Sequence, residues 1–524
     1  MTDFTIDHTR MPVVEGMRWY HDHDFASFAT PGHRLGQGAD PALIDLFGAQ
    51  AFELDMPVSG GATDVHFQHD VIREAEILGA DAWGSDICHY LVNGSSAGNL
   101  AYFLAHLAPG DRVIIARDLH KSLMTALIQT GVQPIYIAPR LHPELDFGIG
   151  YDPDLVERAI LANPDAKLVT LVSPSYSGVA SDLRAIAAVA HRHNVPVYID
   201  EAWGPHFHFH PDLPESAMAS GIDGAVASTH KVLAAFTQSA VLNAQGPRID
   251  YARLNTTVGM SQTTSPAAFI YASIDAARSQ MALRGHDLLE NALDLAHQAR
   301  TRLRAIPGLT VVDGETLGVP RYDPTKFVLD VAGMGITGFE AEKVLRTRFF
   351  INPEASDLVS VVCFVTIGDT TESINRLVIA CETLSRENRG KPAIDTHLRS
   401  SGSVIRPGIQ AMTPRDAFFA KSRAVPLREA AGEISADLVI PYPPGIPALP
   451  IKGSYFLMAD ISDLGFQSDV EFCRWLVSNH AVAAVPPSAF YQDAATAPLL
   501  ARFCFAKRLD TIAEARARLQ KAFG

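Results

Sequence analysis

The sequence predicts an α/β fold. A mostly parallel sheet with helices on both faces is expected first, then a smaller α/β domain and a C-terminal α+β domain. Three observations carry this expectation. Apolar runs recur as continuous rather than alternating stretches, as strands covered on both faces require. They are Val113 to Ala116, Ile135 to Ala138, Leu168 to Val172, Val195 to Ile199, Ala225 to Ala227 and Ala240 to Leu242. Between them stand segments of helical period, such as Leu183 to His193, which suit right-handed crossovers. Ser95, His120, Tyr176, Asp200 and Lys231 all follow the ends of apolar runs, where open α/β sheets bind their ligands.

Length and composition set the bounds. A chain of 524 residues exceeds one ordinary core. We expect an N-terminal arm over residues 1–60, a large domain over 61–285, a small domain over 286–388 and a C-terminal domain over 409–524. A linker rich in Gly, Ser, Arg and Lys falls between Arg386 and Gly408. The 43 basic and 58 acidic residues leave a net charge of −15, and no contiguous basic stretch stands out, which argues against a nucleic-acid partner. Five widely spaced cysteines without Cys-x-x-Cys suit a reducing compartment. Met1 to His8 is polar and acidic with no signal-peptide core, and no run of 18 apolar residues exists, so a cytoplasmic protein without a membrane span is expected.

Taken in order, residues 1–60 lack strong periodicity and read either as an arm that packs on a partner subunit or as a surface extension. Residues 70–89 have helical spacing through Val71, Ile72, Ala75, Leu78 and Ala82. Tyr90 to Leu100 then runs from a strand through the small-residue loop Asn93-Gly94-Ser95-Ser96-Ala97-Gly98 into a helix. Such a helix start can hold a phosphate on its free N–H groups, or it can simply be capped by a serine. There is no Gly-x-x-x-x-Gly-Lys, which argues against a nucleotide loop. Residues 285–306 predict a long helix leading into strands near Leu309–Val312, Phe327–Val331 and Val361–Ile367. Pro441 to Pro447 reads as a rigid turn.

The chemistry-bearing residues suit pyridoxal 5'-phosphate (PLP), a group that needs an amine, a carboxylate, a stacking ring, a phosphate cup and a partner for its phenolic oxygen. Lys231, in Ser228-Thr229-His230-Lys231, offers the amine for a Schiff base. Asp200 offers the carboxylate for the pyridine nitrogen, and His120 the stacking ring. Ser95, Ser96, Ala97, Ser228 and His230 offer a lining for the phosphate, and Trp203 offers its indole N–H to the phenolic oxygen. Each residue alone has a plainer reading: a solvent-reaching lysine, a capping aspartate, a loop histidine, a core tryptophan. His206, His208 and His210 alternate and would share one face of a strand, but no second cluster supplies further ligands, so no metal is expected.

Together these stretches resemble the Orn/Lys/Arg decarboxylase family, PLP enzymes of fold type I that decarboxylate basic amino acids. The likeness rests on Val92 to Asn99, Asp200 to Pro211, Ser228 to Ser239, Thr263 to Pro266, Asp275 to Arg278 and Pro441 to Pro447, spread over roughly residues 25 to 460. It implies a PLP-dependent transferase-like large domain in a short form without the N-terminal wing domain. It implies Lys231 as Schiff-base lysine, Asp200 as ring-nitrogen partner, His120 stacked on the ring, and Ser95, Ser96, Ser228 and His230 at the phosphate; on the decarboxylase reading His230 is also the candidate proton donor. It also implies a homodimer or higher homo-oligomer in which Thr264 and Ser265 reach a neighbour's cofactor.

The chain departs from the family pattern at Trp203, where many short members have His, at Leu119, and at His33-Arg34-Leu35. Pro450 to Gly453 replaces an expected Gly-Glu. With that acidic residue absent, Glu354 is the candidate for the substrate's distal charge, and Tyr176 is a further candidate substrate contact. The leading expectation is decarboxylation of lysine, ornithine or arginine to the amine and CO2. The alternatives are an aminotransferase or an oxygen-using oxidative enzyme on the same site, and a regulator that binds the cofactor without turnover.

Overall fold

The structure is a computed structural model; it describes residues 5–23, 26, 28–56, 70–145, 147–394, 410–421, 456–490, 499–504 and 509–523. Seven strands form the main sheet: β1 (Ile87–Leu91), β2 (Arg112–Ala116), β3 (Gln133–Ile137), β4 (Ala166–Val172), β5 (Val197–Asp200), β6 (Gly224–Ala227) and β7 (Ala240–Ala244). Their order is β1-β7-β6-β5-β4-β2-β3. All neighbours are parallel except β7, which runs antiparallel to both β1 and β6. The carboxyl ends of β1, β2, β4, β5 and β6 therefore share one edge, and the start of β7 joins them there.

Both faces of this sheet are covered, and the side-chain alternation of each strand shows it. Val113 and Ile115 pack with Tyr102, Phe103, Leu123 and Leu254 on one side. Ile114 and Ala116 pack with Val156, Leu183 and Ile186 on the other. The helix Gly94–His106 lies close to the strands because Gly98 has no side chain. A Cβ there would stand 2.7 Å from both Leu91 Cδ1 and Val226 Cγ2, closer than any real contact. That approach brings the start of the helix beside the end of β6.

A 37-residue helix, Ala268–Arg304, joins the main sheet to a second one. Its first half packs into the core with Tyr271, Ile274 and Ala277; its second half, with Ala292, Ala296 and Leu303, covers the smaller sheet. That sheet has the order β10-β11-β9-β8, all antiparallel, from β8 (Thr310–Val312), β9 (Lys326–Asp330), β10 (Ala355–Ser356) and β11 (Ser360–Phe364).

Two helical expectations change. The segment over 70–89 ends at Trp83, because Gly84 turns left-handed at φ +69° and closes the helix, freeing residues 87–91 for β1. The helix expected over 285–306 is longer and starts at Ala268, two residues after Pro266.

The N-terminal segment inserts into its own chain. The helix Pro12–Asp22 buries Val13, Met17 and Tyr20 in the core that holds Ala75, Tyr271 and Ile274. The described residues fall into two compact units, one within Met1–Thr396 and Pro407–Arg415, the other within His397–Arg406 and Asp416–Gly524. The second unit has the antiparallel pair β12 (Phe456–Asp460) and β13 (Leu500–Cys504), with helices Asp469–His480 and Leu509–Phe523. Phe472, Leu476 and Phe503 form its core. The Pro441 to Pro447 turn and the Pro450 to Gly453 departure lie outside the described residues. Among the described residues no helix is long and apolar enough to cross a membrane.

Candidate active site

The carboxyl edge of the sheet gathers most of the expected residues. Asp200 ends β5 and is buried. It accepts a hydrogen bond from Asn99 Nδ2 at 3.0 Å and another from the backbone N–H of Ala202 at 3.2 Å. Asn99 is itself fixed, since Tyr198 OH donates to its Oδ1 at 2.8 Å. The same Asn99 amide donates to Ser122 Oγ at 2.9 Å, and that hydroxyl lies 2.8 Å from His120 Nδ1. With its oxygen accepting from Asn99, the Ser122 hydroxyl donates to His120, and the Ser122 N–H also points at the same nitrogen at 3.3 Å. Nδ1 of His120 is therefore an acceptor, and the ring proton sits on Nε2. Burial lowers the histidine's proton affinity, and the charges of Asp200 and Lys231 both reach it.

Ser95 and Ser228 meet at 2.7 Å between hydroxyls, which joins the start of the helix Gly94–His106 to the end of β6. The cap residue of that helix, Asn93, makes no side-chain bond to it, whereas Asp70, Asp152, Asp182 and Asp250 all cap theirs. The first N–H groups of Gly94 to Ala97 are thus left for another acceptor, with the helix dipole behind them. Ala97 is buried and Ser96 exposed at this start. Gln238 donates to the Val92 carbonyl at 2.6 Å and supports the loop from below.

Lys231 lies in the short helix Thr229–Val232 after β6. Its Nζ is 4.3 Å from the centroid of the Trp203 ring and 5.9 Å from that of Tyr176. Burial lowers its proton affinity, opposed by Asp200 and then Glu354, so both carboxylates act on this amine. His230 sits within 2.7 Å of the Ser239 carbonyl through Nδ1, which makes that nitrogen the donor and leaves Nε2 free. Burial also lowers the proton affinity of His230. Trp203 is buried with Tyr176 and Phe364 packed at its edges, at 5.7 and 5.2 Å between rings. Its indole N–H meets no acceptor in bonding geometry; the Tyr176 hydroxyl is near enough to feel it.

Glu354 is exposed at the rim of a cleft of ≈ 350 Å³ that Phe350, Phe364 and Arg376 also line. Thr264 and Ser265 are exposed in the turn before the helix Ala268–Arg304. The histidine run does not share a face. Residues 207–209 form one turn of 3-10 helix instead of a strand, so the three rings diverge. His206 meets Asp323 at 3.4 Å, His208 meets Ser216 at 3.4 Å and His210 meets Glu290 at 2.8 Å. His286 stands beside that last pair, and potential ligand atoms of His210, His286 and Glu290 lie within 4.8 Å of one another.

Sequence reasoning assigns no role to Asn99, Ser122, Lys326 or Glu201. Lys326 opens β9 and is buried against Trp203. Glu201 follows Asp200 and is also buried; burial pushes its carboxyl up to about 8, opposed by the Ala217 N–H that it accepts at 2.8 Å. It is protonated at neutral pH. A group with a raised folded-state pKa contributes stability that is full below its ordinary 4.5 and is lost as pH rises through about 8. Glu201→Gln is therefore expected to flatten the fall in thermal stability over that window, worth a few kcal/mol, by about 1.4 kcal/mol per pH unit. Melting curves of both proteins across the window check this.

A serine pair at an uncapped helix start, a half-buried amine of lowered proton affinity and a hydrogen-bonded buried carboxylate follow the strands of a mostly parallel sheet, the layout of an α/β enzyme of fold type I. Comparison with known proteins gives the family. The model of the Orn/Lys/Arg decarboxylase major domain matches residues 11–373, and that of its C-terminal domain matches residues 404–456. The chain belongs to the Orn/Lys/Arg decarboxylase family, whose members are amino acid decarboxylases. It is 38% identical to the arginine decarboxylase of Halalkalibacterium halodurans over 448 residues, 84% of this chain and 89% of that one. It is likewise 38% identical to the arginine decarboxylase of Bacillus subtilis over 454 residues, 86% and 92% of the two chains. The crystal structure of the Francisella novicida lysine decarboxylase shares the fold, with a TM-score of 0.62 and 23% identity, over 73% of this chain and 60% of that longer one.

Proposed function

We propose that the chain is a PLP-dependent arginine decarboxylase, converting L-arginine to agmatine and CO2. The observation that carries this reading is Lys231, an amine of lowered proton affinity under the influence of Asp200, three residues after Ser228, whose hydroxyl meets that of Ser95. The arginine decarboxylases at 38% identity over most of both lengths support arginine as the substrate.

The donor set fits the cofactor. The cup and the uncapped helix start suit its phosphate, and the indole N–H of Trp203, without an acceptor in bonding geometry, suits its phenolic oxygen. When bound, PLP supplies the electron sink that accepts the pair left on Cα as CO2 departs. The chain does the rest. Lys231 holds the cofactor's aldehyde carbon. Asp200, oriented by Asn99 and Ala202, keeps a proton on the ring nitrogen. His120, held by Ser122, covers one face of the ring and excludes water there. His230, with Nδ1–H bonded to the Ser239 carbonyl, takes up a proton at its free Nε2 and passes it toward Cα. Glu354 and Tyr176 face the distal end of the substrate, with Glu354 matched to the guanidinium. Thr264 and Ser265 serve a neighbouring subunit's site in a homo-oligomer.

Arginine, ornithine and lysine are each incubated with the purified protein and PLP, with and without oxygen, and the products are identified by mass spectrometry. Agmatine and CO2 in equal amounts, without oxygen uptake, are expected. A keto acid or oxygen consumption would overturn the reading in favour of transamination or oxidation.

A further inference from the structure

A lysine buried in a folded protein is costly unless paired or used. Lys326 is only 1% exposed. It opens β9 opposite Phe364 of β11, and its Nζ lies 3.4 Å from the centroid of the Trp203 ring. Lys231 Nζ lies 4.3 Å from the same centroid. The two amines can therefore stand no farther apart than the sum of those distances. Lys326 Nζ makes no hydrogen bond or ion pair with another described residue. Asp323, three residues upstream, accepts from Thr325 and meets His206 through Oδ1; its Oδ2 makes no hydrogen bond with a described residue, and its charge reaches Lys326 without a bond between them. Burial pulls the ammonium's proton affinity down to about 7, with Asp323 opposing and the charge of Lys231 adding to the fall. Such a group sits ready to take up a proton when an anion arrives.

The charges around Trp203 form a pattern. Asp200 is matched by a protonated ring nitrogen, and Glu354 by the substrate's distal cation. The remaining charge on a basic amino acid is its α-carboxylate. We propose that Lys326 binds the substrate's α-carboxylate, using the Trp203 ring as its platform. This rests on the decarboxylase reading above and deepens it. The site then reads a basic amino acid at both ends, Glu354 at the cation and Lys326 at the anion. Since that carboxylate leaves as neutral CO2, the hold of Lys326 is stronger before the transition state than in it. Its loss falls on KM more than on kcat.

The test compares Lys326→Met and Lys326→Gln with the wild-type holoenzyme; methionine keeps an unbranched chain against the indole. Steady-state constants for arginine are measured together with the inhibition constant of agmatine, which has no α-carboxylate. For Lys326→Met, KM for arginine is expected to rise by roughly ten- to a hundredfold, the range of a hydrogen bond to a charged group. The agmatine inhibition constant is expected to stay within roughly twofold on the same scale. Lys326→Gln, which keeps a neutral donor, is expected to fall between. An agmatine constant that rises in step with KM would overturn the inference, because Lys326 would then shape the pocket as a whole. An unchanged arginine KM in a folded variant would also overturn it. A wild-type enzyme that releases no CO2 from arginine would overturn the decarboxylase reading and the inference with it, whereas wild-type turnover with an unaltered variant sinks the inference alone.

Discussion

Lys231→Ala is expected to lower turnover by roughly four orders of magnitude or more, the scale seen when a covalent group is removed from a catalytic unit. The visible absorption of the bound cofactor should be lost with it. The fold should survive. The lysine is only partly buried, and burial already works against its charge, so its removal takes away a desolvation cost. Circular dichroism and thermal melting should match wild type while the absorption band disappears. The lowered proton affinity carries a second expectation. An amine reacts with an aldehyde as the free base, so the apoprotein should take up PLP at a lower pH than an ordinary lysine, which titrates at 10.5, would allow. An active Lys231→Ala enzyme carrying cofactor of normal absorption would remove the basis of the proposed function.

Much of this site is legible in the sequence because its residues follow strand ends. β2, β4, β5 and β6 are short, largely apolar strands, and what comes after each lies at one edge of the sheet. Asp200 and Lys231 are readable for that reason. The supporting groups are not. Asn99 sits one turn into a helix of small residues, and only the fold reveals that it meets Asp200, Ser122 and Tyr198. Lys326 is hidden for a different reason. A lysine at the head of a strand ordinarily reaches water, and nothing local tells that Trp203, more than a hundred positions earlier, closes over it. The histidine run misleads because alternation alone implies a strand. A single 3-10 turn at Phe207–Phe209 sends the three imidazoles to Asp323, Ser216 and Glu290 instead. Period reports one element at a time, while these pairings are made between elements distant in the chain.

Arg278→Leu is expected to cost about 3–5 kcal/mol of stability, the usual penalty for breaking a buried ion pair from one side. Arg278 and Asp275 are both fully buried on the helix Ala268–Arg304 and meet at 2.7 Å. Arg278 also donates to the carbonyls of His8 at 3.1 Å and Arg10 at 2.5 Å, while Asp275 accepts the N–H of Val13 at 2.9 Å. The pair therefore satisfies the backbone that leads into the helix Pro12–Asp22. Burial raises the Asp275 carboxyl to about 6, with Arg278 opposing. Its contribution to stability is thus full below 3.8 and lost as pH rises through about 6. Without Arg278 only the Val13 N–H opposes the burial, so the carboxyl should stay protonated to higher pH and the deficit should be largest above neutrality. The first unfolding transition in urea should shift accordingly, and limited proteolysis should cleave the N-terminal segment sooner. Adding Asp275→Leu separates two causes. An apolar pair removes the uncompensated charge and should restore part of the loss, since such replacements are often neutral. The part not restored belongs to the carbonyls of His8 and Arg10 and the N–H of Val13, left without partners. Full recovery in the double variant would mean that the arm is held by Val13, Met17 and Tyr20 alone. No recovery would mean that its backbone bonds, and not the buried charges, hold it to the core.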